Sequence, residues 1–459
     1  GDGSLVEVSR KEELYFDGSV DTTAANGKTG TLLLDPNTIT IADGSGSTTA
    51  SGASTFTTIY ETTLESVSAS TNIILLATSS ISLSDLSDNL LNLQQGSGNS
   101  VTFTVTNGTI SFASSTDTIS TNGGDIIFNA TGDLTIGSLA SNGGDISLTG
   151  DDFSLSGTLS SGAGNISITH TDSGNIGLGG TTCTGSCDLN ISTTELAAMS
   201  GNKLIIGGLS NGDIYVNGVT QTTSTFTNGV ELNVDAHLSG SKGAIIFEGS
   251  ASSFSTLTAN AVDGVEVNVN LTTVTGALTL DGDSDNAVDT LSGNDNILFA
   301  SGITLTSAGD ISLSAANGGM TAAGALTLSA TSGITMTGAL TGAGAIALTA
   351  NSAITLNSGI STSSDSLNIN ANSSALSLGS GITLSSADAL TLSASSISSS
   401  GNLTLTSTGS TISVGSALTS SGSVAMTAST GLTLSNSTLT GAGDISLQGG
   451  SGLTLASGT

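Results

Sequence analysis

The chain contains few of the residues on which many functional classes depend. Its 459 residues include one proline, no tryptophan, two cysteines, two histidines and five lysines and arginines, against 36 aspartates and glutamates. The formal net charge is −31, and no basic stripe is present that could neutralise the phosphates of a nucleic acid. Anionic membrane surfaces also repel such a chain. We therefore expect no nucleic-acid partner, and no run of apolar residues is long enough to form a transmembrane segment.

The same scarcity argues against an enzyme. Arg10 is the only arginine, and His170 and His237 are far apart in the sequence with no obvious nucleophile beside either. We expect both histidines to lie at the surface. Polysaccharide lyases and hydrolases do use β-helices, but their chemistry relies on aspartate clusters together with a cation or an arginine. We expect no enzymatic activity and no required cofactor.

What the chain does contain is a repeat of short alternating triplets such as I-S-L, L-T-L and I-T-L, separated by Gly, Ser, Thr, Ala and Asn. Alternation over a few residues with breakers between is typical of strands. The triplets recur at a step of 21 residues from Ile346 to Leu367, from Leu403 to Val424 and from Val424 to Ile445. Three short strands in each repeat of about 20–21 residues predict one coil of a parallel β-helix, which buries its apolar face only when coils stack. Because crossovers between parallel strands are right-handed, we predict an all-β, right-handed parallel β-helix.

The predicted β-helix has about 20 coils and would form a rod on the order of 100 Å long. We interpret residues 1–30 as an irregular first coil or a junction, residues 31–169 as β-helix, residues 170–300 as β-helix with irregular coils and longer loops, and residues 301–459 as highly regular repeats. The chain opens without a leader and stops in mid-rhythm. We expect that a signal peptide has been removed and that the full protein continues beyond this segment.

Cys183 and Cys187 are the only cysteines, and they stand four residues apart in T-T-C-T-G-S-C-D. In an oxidising compartment they could close a small loop as a disulfide, which is the interpretation we favour. Free thiols are the first alternative. A zinc site is the second, but it would need further ligands, for which His170 is the only nearby candidate.

The densest acidic cluster is L-D-G-D-S-D-N-A-V-D, with Asp281, Asp283, Asp285 and Asp289. Carboxylates at alternate positions suit a hard, oxygen-seeking cation, so these four residues predict a weak calcium site. Calcium is the only cofactor that the sequence suggests. A solvated acidic turn is the interpretation that we favour, since the sixth and twelfth positions do not match an EF-hand loop.

Several stretches together resemble the filamentous-haemagglutinin-like exoproteins, the large secreted partners of bacterial two-partner secretion systems. These stretches are residues 30–41, 61–77 and 195–218, together with the N-G-G-D-I coils. The resemblance implies a right-handed β-helix, export through an outer-membrane transporter, and an extracellular location at the bacterial cell surface. It also implies a role in adhesion or surface contact.

We therefore predict a secreted adhesin stalk that attaches to a glycan or a cell-surface receptor. Loops on a rigid scaffold are where binding residues concentrate, which points to residues 170–300 for contacts. The alternative is a structural subunit that associates end to end into an extracellular filament or sheath, because an open coil is an unpaired strand edge.

Overall fold

In the computed structural model, parallel strands stack as a right-handed β-helix of about 19 turns with almost no α-helix. This confirms the predicted fold class. The structure describes residues 1–11, 14, 16, 18–44, 57–180, 183, 186–209, 211–220, 225–235, 243–287, 295–435 and 438–456. The chain divides into two compact units, residues 1–212 with 221–231 and residues 213–220 with 232–459.

The first unit contains two one-turn helices, α1 (Glu61–Glu65) and α2 (Thr193–Ala197), among many short strands. The strands are β1 (Leu5–Ser9), β2 (Thr31–Asp35), β3 (Thr38–Ala42), β4 (Thr57–Tyr60), β5 (Asn72–Ala77), β6 (Ser80–Leu83), β7 (Leu90–Gly96), β8 (Ser100–Val105), β9 (Thr109–Phe112), β10 (Thr118–Asn122), β11 (Asp125–Ala130), β12 (Leu134–Ile136), β13 (Ser138–Ala140), β14 (Ile146–Gly150), β15 (Phe153–Leu155), β16 (Leu159–Ser160), β17 (Ile166–His170), β18 (Ile176–Gly179), β19 (Leu189–Ser192), β20 (Met199–Ser200) and β21 (Leu204–Gly208).

Every remaining element of the described residues is a strand. They are β22 (Ile214–Asn217), β23 (Val230–Val234), β24 (Ile245–Glu248), β25 (Ser252–Phe254), β26 (Leu257–Ala261), β27 (Val265–Val267), β28 (Leu271–Thr273), β29 (Leu278–Asp281), β30 (Asn296–Phe299), β31 (Ile303–Ser307), β32 (Ile311–Ser314), β33 (Gly319–Ala322), β34 (Leu326–Ala330), β35 (Ile334–Thr337), β36 (Leu340–Gly342), β37 (Ile346–Ala350), β38 (Ile354–Leu356), β39 (Ile360–Thr362), β40 (Leu367–Asn370), β41 (Ala375–Leu378), β42 (Ile382–Ser386), β43 (Leu390–Ser393), β44 (Ser396–Ser399), β45 (Leu403–Ser407), β46 (Ile412–Val414), β47 (Ala417–Ser420), β48 (Val424–Ala428), β49 (Gly431–Leu434), β50 (Leu439–Gly441), β51 (Ile445–Gly449) and β52 (Gly452–Leu455).

In the regular repeats, every third strand pairs in parallel with its counterpart one coil away. In the first unit, β5, β8, β11, β14 and β17 form one such stack. In the second, β31, β34, β37, β40 and β43 do the same. The three strands per coil that the triplet spacing predicts are therefore present.

The predicted register is confirmed residue by residue in the regular repeats. Ile346 pairs with Leu367, and Leu403, Val424 and Ile445 pair in succession. Along each strand, buried and more exposed residues alternate, so the apolar members of each triplet fill the interior. Parallel pairing at this register places like residues above one another, which excludes water from a continuous core.

The corners of the coils around residues 121–165 repeat the same hydrogen bond. The buried hydroxyls of Thr121, Ser141 and Ser161 each donate to a glycine carbonyl three residues later, at 2.6, 2.5 and 2.7 Å. A Cβ added to Gly144 would lie 2.5 Å from the carbonyl carbon of Gly124 in the coil before it. Only glycine allows that approach, which explains the glycines at positions 124, 144 and 164.

Carboxylates next to these corners join successive coils. The Oδ1 atom of Asp125 accepts the N–H of Asp145 at 2.9 Å, and Oδ1 of Asp145 accepts the N–H of Asn165 at 2.7 Å. Asn202 then donates from Nδ2 to Oδ1 of Asn165 at 2.8 Å. The aspartate after each glycine is therefore a bridge between coils as well as a turn residue.

Replacing Asp145 with alanine should lower the free energy of unfolding by about 1 kcal/mol, because the N–H of Asn165 loses its acceptor. Asp145→Asn keeps an acceptor oxygen and is the matched control. The measurement is the urea midpoint of each variant. Equal midpoints for the alanine and asparagine variants would show that this bridge contributes nothing.

The sequence analysis predicted neither of the two short helices, although one of them has a recognisable sequence signal. The hydroxyl of Ser192 accepts the N–H of Glu195 at 3.2 Å, and Oε2 of Glu195 accepts the N–H of Ser192 at 2.8 Å. This capping box is visible in the sequence as S-T-T-E.

Among the described residues, no helix has the length and apolar character needed to cross a membrane.

Candidate functional site

The sequence-predicted contact residues fall in two different units, so each group is described by itself. In the first unit, Cys183 and Cys187 form a disulfide with a Cα–Cα distance of 6.1 Å. Both half-cystines are partly exposed, and they lie in the connection between β18 and β19, which pair in parallel. With both sulfurs joined, the zinc alternative has no thiolate ligands in this structure.

Glycine lets this disulfide pack closely against strand β18. A Cβ built on Gly177 would lie 2.8 Å from Sγ of Cys183 and 3.1 Å from Sγ of Cys187. Side-chain amides hold the rest of the loop: Nδ2 of Asn175 donates to the Ser186 carbonyl at 2.9 Å, and Nδ2 of Asn190 donates to the Cys187 carbonyl at 3.2 Å. The loop is therefore fixed to the scaffold at its carboxy-terminal end.

His170 is buried, so the prediction that it lies at the surface was wrong. Only 1% of the residue is exposed; Nε2 lies 3.4 Å from Oδ1 of Asp151, and Nδ1 lies 3.1 Å from Oδ1 of Asp172. It ends strand β17 at an inward-facing position. The N–H of Asp172 donates to Nδ1 of His170 at 3.1 Å, so the turn after strand β17 positions the ring. His237 lies outside the described residues.

In the second unit, the acidic loop after strand β29 binds its own backbone. Oδ1 of Asp281 accepts the N–H of Asp283 at 3.1 Å, and Oδ1 of Asp285 accepts the N–H of Ala287 at 3.0 Å. Asp283 is fully buried, and its Oδ2 accepts both the N–H of Asn317 at 2.8 Å and Nδ2 of Asn317 at 3.0 Å. Asp289 lies outside the described residues.

The surroundings of this loop raise the pKa of two of its carboxyl groups. Burial raises the pKa of Asp283, the hydrogen bond from Asn317 opposes that shift, and the charges of Asp295 and Asp285 raise the pKa further. Burial also raises the pKa of Asp281. Oδ1 of Asp283 has no hydrogen-bond partner. These neighbours repel one another at neutral pH, and a cation would relieve that repulsion.

The predicted calcium ligands do not form a complete set in the described part of the chain. No group of three or more His, Cys, Asp or Glu side chains there is placed to hold a metal ion. Asp281 and Asp283 follow one another at the strand end but use their oxygens for backbone and Asn317 hydrogen bonds. The calcium site stays a prediction.

A second group of buried carboxylates, in the first unit, was missed by sequence reasoning. Glu61 is 8% exposed, and its Oε1 accepts the N–H of Gly44 at 3.1 Å; Asp117 is fully buried and accepts the N–H of Leu86. Burial raises the pKa of both carboxyls, and the charge of Asp88 raises each further. Neither residue sits in a dense acidic run, so the sequence offers no signal for them.

One motif was also missed. Residues 208–212 read G-L-S-N-G, a Gly-x-Ser-x-Gly sequence, and Ser210 lies outside the described residues. In a nucleophile elbow this sequence joins a strand to a helix. Here it follows strand β21, and the next element is strand β22. Asn211 closes the turn by accepting the N–H of Gly208 at 2.6 Å, so the surroundings do not match those of a hydrolase elbow.

The fold defines the chain as a β-solenoid repeat protein. Comparison with protein-family models, with curated proteins and with solved structures finds no match. The resemblance to the filamentous-haemagglutinin-like exoproteins stays a prediction from the quoted stretches.

Proposed function

We propose that this chain is a secreted cell-surface adhesin stalk that uses lateral loops to attach to a glycan or a receptor on another cell. The β-solenoid fold carries the proposal, since it presents many loops along a scaffold whose backbone is held by inter-coil hydrogen bonds. Export through an outer-membrane transporter belongs to the same proposal and rests on the family resemblance.

The outward residues of the regular repeats support contact with a polar partner. Thr304, Thr327 and Thr433 occupy the middle positions of triplets and face away from the apolar core, as do their paired neighbours. No lysine or arginine follows Lys242 in the sequence. Such a surface is hydroxyl-rich and carries few charges, which suits a spacer between a cell and its contact site.

The disulfide is a covalent cross-link in the predicted contact region. Cys183 and Cys187 are partly exposed, and neighbouring amides anchor their loop. A loop closed over so few residues constrains the unfolded chain little, so its main effect is on local shape. A shaped, partly exposed loop is suited to binding.

Replacing both cysteines with serine should weaken attachment several-fold while leaving the urea midpoint almost unchanged. The measurement is retention of chain-coated microspheres on cells and on immobilised glycans under flow. A double Ser→Ala variant at exposed Ser364 and Ser451, far along the sequence, controls for surface substitution. Full retention by the cysteine variant would exclude this loop as the contact.

A further inference from the structure

A cavity of about 630 Å³ lies beside the turn that follows strand β1. Its walls come from the corners that follow β1, β2 and β5, three strands that pair in succession. The first corner contributes Ser9, Arg10 and Lys11, the second Asp35 and Asn37, and the third Thr78. A volume in this range is typical of pockets for small ligands.

Two cations lie together in this cavity although the chain is strongly acidic. Arg10 is the only arginine, and Lys11 is one of four lysines, in a chain with a net charge of −31. Both residues are exposed, and neither forms an ion pair with a carboxylate of the described residues. No described carboxylate neutralises either cation, and both can attract an anionic ligand.

The backbone of the cavity is fixed before any ligand arrives. The N–H of Arg10 donates to the Asp35 carbonyl at 3.2 Å, which ties the first corner to the second. The N–H groups of Thr78 and Ser79 donate to the Asn37 carbonyl at 3.1 and 2.9 Å, which ties the third corner to the second. A preformed site loses less conformational freedom on binding.

The lining selects among anions. Arg10 presents a planar fork that matches a carboxylate in two parallel hydrogen bonds, and Lys11 adds a point charge. Counted over the described lining residues, the carboxylate of Asp35 leaves one net positive charge. Asp35, Asn37 and Thr78 are hydrogen-bonding groups of the kind that contact hydroxyls. None of the described lining residues carries an aromatic ring on which an apolar ligand could stack.

We propose that this cavity binds a carboxylated saccharide, with Arg10 and Lys11 on the carboxylate and with Asp35, Asn37 and Thr78 on the sugar hydroxyls. The inference rests on the proposed adhesive function, since it gives the adhesin one class of glycan ligand. It also places a contact outside residues 170–300, where the sequence led us to expect contacts.

The test is a calorimetric titration of the full chain in the presence of a chelator. The three ligands are trigalacturonate, the neutral trisaccharide of galactose and inorganic sulfate. We expect saturable binding of trigalacturonate alone, weakening as salt is added. Arg10→Gln should weaken it about tenfold or more, and Arg10→Lys should weaken it less. Lys28→Gln removes the same charge from an exposed position outside the cavity and should leave binding unchanged.

Equal binding of the neutral trisaccharide or of sulfate would overturn the carboxylated-saccharide assignment, as would unchanged binding by Arg10→Gln. The urea midpoint of each variant confirms that the fold is intact. Microsphere attachment separates the two proposals. If the wild type does not bind trigalacturonate but beads coated with the Arg10→Gln variant still attach, this site is overturned and the adhesin function stands. If beads coated with the wild-type chain do not attach, the adhesin function itself is overturned.

Discussion

Replacing Phe128 with alanine should lower the free energy of unfolding by about 3–5 kcal/mol, the largest effect that we expect of a single substitution. Phe128 is fully buried on strand β11, directly above Phe103 of strand β8. The two ring centroids lie 4.6 Å apart, and the ring of Phe112 lies 6.3 Å from that of Phe128. Alanine would leave a cavity among rings that strand pairing holds in place.

Ile127→Ala is the matched control for this substitution. Ile127 precedes Phe128 on the same strand but faces outward and is partly exposed. Its replacement should cost clearly less, about 1 kcal/mol or below. The measurement is urea unfolding of both variants, monitored by circular dichroism. Equal losses from the two substitutions would mean that β11 does not present alternate residues to a core.

Lowering the pH from 7 towards 4 should raise the stability of the protein. The pKa values of Glu61, Asp117, Asp281 and Asp283 are all raised, first by burial. A group with a raised pKa in the folded state contributes stability that is fully present below its unfolded pKa, about 3.8 for Asp and 4.5 for Glu, and lost as pH rises through the folded value.

Two other shifts do not reverse that direction within this range. The pKa of Asp21 is lowered by hydrogen bonds from Thr23, but Asp21 is fully exposed. Burial raises the pKa of Tyr215 to about 12, which affects stability only in strongly alkaline solution. The net expectation between pH 7 and pH 4 is therefore set by the four carboxyls with raised pKa.

The measurement is the urea midpoint as a function of pH. Asp283→Asn should flatten the curve, because it removes one of the buried carboxyls, whereas Asp444→Asn removes the same charge from an exposed position and controls for net charge. A midpoint that falls steadily from pH 7 to pH 4 in the wild type would contradict the burial of these carboxyls.

The sequence predicted the fold because the structure depends on short-range periodicity. The alternation in a triplet such as that from Ile346 to Leu348 predicts which residues point inward. The 21-residue step from Ile346 to Leu367 predicts which residues pair between coils. A parallel solenoid makes these two facts nearly sufficient, since each strand pairs with the next coil. The helix α2 was readable in principle from Ser192 and Glu195.

The candidate sites could not be predicted as well, because they depend on contacts between coils. His170 looks exposed in a polar stretch, yet stacking places it inside between Asp151 and Asp172. Asp283 belongs to a run of alternate acids, yet it turns inward to Asn317 of a later coil. Arg10 lines a cavity together with residues of two later coils, and no local sequence pattern predicts that arrangement.

The most direct test of the adhesin account is the attachment of the purified, monodisperse chain to cells and immobilised glycans under flow, with electron microscopy of the same sample. The account predicts discrete particles that attach saturably and are displaced by soluble chain. Filaments of indefinite length that do not attach would contradict it and would favour a structural subunit that assembles end to end.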